Sequence, residues 1–149
     1  MNVGELCTRE VVCCQRDTPI LAAAQLMRAH HVGDLVVVEQ RAEERIPVGI
    51  ITDRDLVIEV LAKEVNPSTL TVGDLSISPV FTAGEYDGVY ETIERMQSKG
   101  VRRVPIVNRR QGLVGMLTLD DVSEYLAEEL NKLSKIVIRQ QQRETQIRV

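Results

Sequence analysis

The stretch "GIITDRD", residues 49–55, runs from a glycine through an aliphatic pair into a threonine with an aspartate three places on, and "GMLTLDD", residues 115–121, repeats that order. The aliphatic pair reads as the end of a strand. The threonine and the acid read as a helix start, in which the hydroxyl accepts an orphan backbone N–H and the carboxylate reaches back. Finding the sentence twice implies a duplicated unit. A shift of 69 superposes Val3, Gly4, Glu5 and Leu6 on Val72, Gly73, Asp74 and Leu75, and pairs Ile20 with Val89, Met27 with Met96 and Val38 with Val107. Beyond that point a shift of 66 pairs Gly49 with Gly115, Thr52 with Thr118 and Asp55 with Asp121. The difference of three falls in one loop, and "EQRAEER" at 39–45 reads as a solvated hairpin tip. Residues 2–64 and 71–130 are thus two copies, joined by a linker over 65–70 with the turn-like "NPST", and 131–149 form a C-terminal helical extension and tail.

Each copy carries the same elements. "VVCC" (11–14) and "PVFT" (79–82) read as short strands. Ile20, Ala24 and Met27, like Val89, Ile93 and Met96, fall on one face of a helix. "DLVVVE" with "PVGII", and "RVPIVN" with "LVGML", predict hairpins. A closing helix from Thr52 or Thr118 buries Leu56 and Val60, or Val122 and Leu126. The expected class is α+β, a tandem β-α-β-β-α repeat. A sheet covered by helices on one face leaves the other apolar, so the copies pack sheet to sheet with pseudo-two-fold symmetry and set both repeated sentences in clefts at the seam.

Composition narrows the function. Hydrophobic residues make up 44% and charged residues 27% of the 149 residues, the profile of a soluble globular chain. No apolar run approaches the roughly 20 residues that span a bilayer, and the N-terminus lacks the pattern of a secretion signal, so a cytoplasmic location is expected. Cys7, Cys13 and Cys14 are odd in number, two of them adjacent, and read as reduced thiols. With His30 and His31 they show no metal-ligand spacing, and no motif places a general base. Neither a metal nor a catalytic residue is expected. A net charge of −4 and four aromatic residues argue against nucleic acid.

A helix N-terminus offers unpaired N–H donors to phosphate, and an acid at its mouth can accept from ribose hydroxyls. Thr52 with Asp55, and Thr118 with Asp121, suit a nucleoside phosphate as well as a simple cap. The doubled unit, with "GIITDRDLV" and "GVRRVPIVNRRQGLVGMLTLDD", closely resembles a pair of cystathionine-β-synthase-type (CBS) domains, a Bateman module, and most of all small stand-alone proteins of that kind. The resemblance implies a regulatory module that binds AMP, ADP, ATP, NAD or S-adenosylmethionine in its seam clefts and dimerises into a flat disc. An adenine nucleotide would be a regulatory ligand rather than a required cofactor, and a target protein could receive the signal. By position, Asp55 and Asp121 would hold ribose, with Thr52 and Thr118 near ribose or phosphate. Val12, Leu35, Val80 and Val104 would line the base, and backbone groups near Cys13, Thr82 and Arg103 would read its edge. A ligand-free scaffold with degenerate clefts is the alternative.

The copies differ where the family favours proline and a basic residue. Arg102, Arg103 and Pro105 of the second copy align with Gly33, Asp34 and Val36 of the first. Arginine suits phosphate and a carboxylate repels it, so the clefts are expected to be unequal, with Arg102 or Arg103 selecting a phosphorylated ligand unless both pair with nearby acids. In the tail, Leu126, Leu130, Leu133 and Val137 recur at steps of four, three and four, an apolar seam that reads as a dimer contact or as packing on the chain's own core.

Overall fold

The protein is described from a computed structural model over residues 1–75 and 80–148. Two three-stranded sheets form, one for each copy. In the first, β1 (Cys13–Cys14) runs parallel to β2 (Asp34–Arg41), which pairs antiparallel with β3 (Glu44–Thr52). In the second, β4 (Ala83–Gly84) is parallel to β5 (Arg103–Val107), and β5 is antiparallel to β6 (Leu113–Thr118). The first strand of the first sheet is shorter than the expected 11–14, and that of the second lies beyond the expected 79–82, since Val80, Phe81 and Thr82 precede β4 without strand pairing. Pro79 of the expected "PVFT" strand lies outside the described residues.

Helices α2 (Ile20–His30) and α4 (Val89–Lys99) make the crossovers from the first strand to the second. Ile20 and Met27, and Val89 and Met96, are buried as the helical spacing requires. Both helices end on a left-handed residue, His31 at φ 55° and its equivalent Gly100 at φ 66°. The segment 39–45 is a largely exposed hairpin tip, as expected, into which β2 and β3 continue as far as a two-residue turn at Ala42 and Glu43, with Arg41 opposite Glu44 and Gln40 opposite Arg45. Glu39 there accepts from Arg16 at 3.1 Å and from Arg41 at 2.8 Å. Opposite charges at facing positions, Arg41 and Glu44, favour this extension.

Hydrophobic side chains separate into three clusters. Leu35, Val37 and Ile51 face the helices of the first copy. Val104, Ile106 and Leu117 face those of the second. Val36, Val38, Leu113 and Met116 meet between the two sheets, with Val11, Cys13 and Ile50 at the margin. The copies thus bury their uncovered faces against each other. The tips are tied as well, since Asn108 Nδ2 donates to Glu44 Oε2 at 3.1 Å.

The leading segments of the copies are exchanged. Helix α1 (Val3–Leu6) puts Val3 in the core of the second copy, where the N–H groups of Val3 and Gly4 donate to the carbonyls of Asp87 and Glu85. The 3₁₀ turn Val72–Asp74 does the same to the first copy: Val72 enters its core, and Val72 and Gly73 donate to Thr18 and Arg16. Glycine is required at the contact, because a Cβ on Gly4 would stand 2.6 Å from the Glu85 carbonyl oxygen, and one on Gly73 would stand 3.0 Å from that of Arg16.

The closing helices differ in length. Helix α3 (Asp53–Leu56) passes into a π-helical turn over Val57–Leu61, whereas α5 (Leu119–Ile147) runs for 29 residues. Packing of α5 on its own core ends near Leu126, and Leu130, Leu133 and Val137 are exposed, so the tail stripe does not serve its own core. No described helix is long and apolar enough to cross a membrane.

Candidate functional site

Both repeated sentences fold as strand, cap, helix. Thr52 Oγ1 accepts from the Asp55 N–H at 3.1 Å, and Asp55 Oδ2 accepts from the Thr52 N–H at 2.8 Å. Thr118 and Asp121 repeat this at 3.1 and 3.0 Å. Each aspartate therefore turns back onto its cap instead of outward. Oδ1 of each carries no protein hydrogen bond among the described residues, which leaves one acceptor oxygen per box.

A cleft opens at the seam beside the N-terminus of α5. Thr8, Val11, Val12, Val32 and Asp34 of the first copy line it, with Glu10 among them, opposite Arg103, Met116 and Thr118 of the second. Arg103 Nε lies 3.1 Å from Asp34 Oδ1 and closes the cleft across the seam. The two residues are equivalents under the shift of 69, so their contact lies on the pseudo-two-fold axis. Burial raises the Asp34 carboxyl above its ordinary value; Arg103 pulls it back and Asp53 pushes it further up. The cleft encloses about 160 Å³, roughly half the volume of the smallest ordinary ligand pockets. Residues 77 and 79, the sequence equivalents of Thr8 and Glu10, lie outside the described residues.

The structure gathers some expected site residues and separates others. Val12, Arg103 and Thr118 line the seam cleft. Cys13 sits half-buried at the seam, its sulfur 3.5 Å from Arg45 Nη1. Pro105 is buried on β5 opposite Met116, and Val80 is half-buried. Leu35 and Val104 are fully buried against their own helices, on the face of the sheet turned away from the seam. Their strand neighbours Val36 and Pro105 take the opposite side, as the two-residue period of a strand demands. Thr82 borders a different, polar hollow, where Arg95 Nη2 donates to its carbonyl at 3.1 Å.

Arg102 faces away from Arg103. It borders a groove between α4 and α5 whose walls include Ile93, Met96, Leu119 and Val122. That groove is larger, about 270 Å³. Its walls are mostly aliphatic, with only Gln97 and Arg102 carrying polar side chains, so the smaller seam cleft, with Thr8, Glu10, Asp34, Arg103 and Thr118, is the better candidate for a polar ligand. Thr8 and Met116 are cleft residues that the sequence did not single out, and Asp34 was marked there only as a departure between the copies. The one signal for Asp34 was its opposite charge to its equivalent, Arg103.

Burial raises the thiols of Cys7, Cys13 and Cys14, that of Cys14 to about 11, so none is a ready nucleophile at neutral pH. Among the described residues no three His, Cys, Asp or Glu side chains are grouped to hold a metal ion.

Comparison with known proteins places this geometry. The CBS domain model matches twice, over residues 3–62 and 72–128. A relative from Methanopyrus kandleri is 37% identical over 122 residues, 82% of this chain, which spans only 61% of that relative's length. Hypoxic response protein 1 of Mycobacterium tuberculosis is 34% identical over 128 residues, covering 86% of this chain and 82% of its own. The crystal structure of Hypoxic Response Protein I, with two coordinated zinc ions, superposes at a TM-score of 0.70 with 30% identity over 84% of this chain and 98% of its own. The CBS domain pair of protein MJ0100, in complex with 5′-methylthioadenosine and S-adenosyl-L-methionine, superposes at 0.72 over 87% of this chain and 98% of its own; at 23% identity it shares the fold. Two matched repeats, two exchanged leading segments and one seam lead to a single assignment: the chain belongs to the CBS domain family and carries a tandem pair of these domains.

Proposed function

We propose that the protein is a non-catalytic sensor that binds an adenosine-containing ligand at the seam and reports occupancy through a change in how its two repeats meet. The observation that carries this reading is the Asp34–Arg103 pair, which bridges the repeats at 3.1 Å inside a cleft beside the N-terminus of α5. A phosphate or carboxylate on the ligand competes with Asp34 for Arg103, and its entry parts the pair. Ligand affinity and seam geometry are thereby coupled, because a ligand shifts a conformational equilibrium only by its differential affinity for the two states. In this reading Asp121 and Asp55 offer their remaining oxygen to ribose, Thr118 and Thr52 stand near ribose or phosphate, and Val12 and Val80 flank the base. The adenosine ligands of the MJ0100 pair support the ligand class. A cytoplasmic homodimer acting on a partner protein is the setting that fits best.

The test is titration calorimetry and thermal shift with AMP, ADP, ATP, NAD, S-adenosylmethionine and adenosine. Ligand at a hundred times its dissociation constant stabilises by about 2.7 kcal/mol. Arg103→Ala is expected to erase the preference for AMP over adenosine, and equal preference in both proteins removes Arg103 from the reading. If no adenosine compound shifts the melting of the wild type, the second reading stands: a scaffold with degenerate clefts. The observation favouring that reading is that both Thr/Asp pairs already satisfy each other as caps.

A further inference from the structure

Helix α5 leaves the body of the protein. Every described residue from Leu130 onward is exposed, and Leu130, Leu133, Ile136, Val137 and Ile138 are 54% to 67% exposed. The accessible surface is 10135 Å² for 16.7 kDa, where a compact chain of that mass shows about 7,600 Å². The excess, about 2,500 Å², exceeds the roughly 800 Å² that each partner loses in a standard interface. An unpacked helical arm of this length is marginal in water, so its apolar stripe calls for a surface.

Charge identifies that surface. From Leu119 to Asn131 the helix carries five carboxylates and no base; from Lys132 to Arg148 it carries five bases and one carboxylate, Glu144. In a lone helix this order suits the macrodipole. Between two such helices it is complementary in one orientation only, because parallel pairing sets acid beside acid and base beside base. The Lys132–Glu129 ion pair, 3.1 Å long and solvent-exposed, contributes little and leaves Glu129 able to turn outward.

We propose that the arm of α5 pairs antiparallel with the same arm of a second copy of this chain. Leu133 packs against the partner subunit's Val137, and Glu129 faces the partner subunit's Arg143. Leu130, Leu133 and Val137 supply the spacing of four and three that such a seam requires. This contact begins about three helical turns beyond Thr118, the cleft residue that caps α5, and does not rest on the ligand reading.

Two experiments test it. In sedimentation equilibrium on the full chain, Leu133→Glu with Val137→Glu is expected to lower the assembly state while leaving the melting of the body unchanged. Arg143→Glu is expected to weaken association about tenfold, and adding Glu129→Arg to restore it. For orientation, Glu129→Cys and Arg143→Cys are made as separate single variants and oxidised alone and mixed, with the wild type setting the background from the native thiols. Cross-linked dimer from the mixture alone supports the antiparallel pair. Cross-linking within either single variant, or a wild type that sediments at 16.7 kDa, overturns it.

Discussion

His31 closes α2 in a left-handed conformation at φ 55°, the position that Gly100 fills after α4. A side chain with a Cβ holds that conformation at a cost of about 1 kcal/mol, so His31→Gly is expected to stabilise the protein by about that much in urea unfolding. A loss of stability instead would mean that the imidazole makes a compensating interaction. Asp34 makes the opposite point about charge. Its carboxyl is raised, burial being the largest cause, so the folded protein binds this proton more tightly than the unfolded chain does. The stabilisation linked to Asp34 is therefore complete below the ordinary carboxylate value and is lost as pH rises through the raised one. Asp34→Asn should match the wild type in acid and be equally or slightly more stable at neutral pH, because Arg103, 41% exposed, can rehydrate. Denaturant midpoints measured across that range decide it; a variant markedly weaker at neutral pH would make the pair a net source of stability.

Elements carry their own predictions. Thr118→Ala removes the acceptor for the Asp121 N–H and should cost about 1 kcal/mol, read as a lower urea midpoint with unchanged slope. Gly4→Ala should cost more than Gly73→Ala, because its Cβ would meet backbone oxygen at 2.6 Å rather than 3.0 Å. Equal losses would mean that the exchanged segments yield freely. Much of the element order was readable in the sequence, since helical spacing at Ile20 and Met27 and aliphatic runs flanking a glycine are strong signals. Which face of β2 and β5 looks at the seam was not. "LVVV" and "VPIV" are buried on both sides, so they offer no alternation from which to choose between Leu35 and Val36, or between Val104 and Pro105. The exchange was equally hidden: the duplicated Val-Gly-acid-Leu segments announced a repeated structure, but the core that Val3 enters is fixed only in three dimensions. The hairpin tip at 39–45 was legible from its charge, but how far β2 and β3 continue into it was not, because composition does not set the point of turning.

At the scale of the whole molecule, the seam and the exchange should make the two repeats unfold together. All three tyrosines, Tyr86, Tyr90 and Tyr125, lie in the second copy, so tyrosine fluorescence follows that copy while far-ultraviolet circular dichroism follows both. The two signals are expected to trace one transition in urea, and a circular dichroism phase with no tyrosine counterpart would show the first copy melting alone. Val36→Ala, at the centre of the seam, should lower both midpoints equally. The exchanged segments carry a further consequence for ancestry. A gene of half this length would encode a chain with a wedge at its front end and an empty slot in its body, unable to fill its own vacancy. Two such chains would complete each other as a twofold pair held by mass action, and tandem fusion would convert that association into a tether that dilution cannot undo.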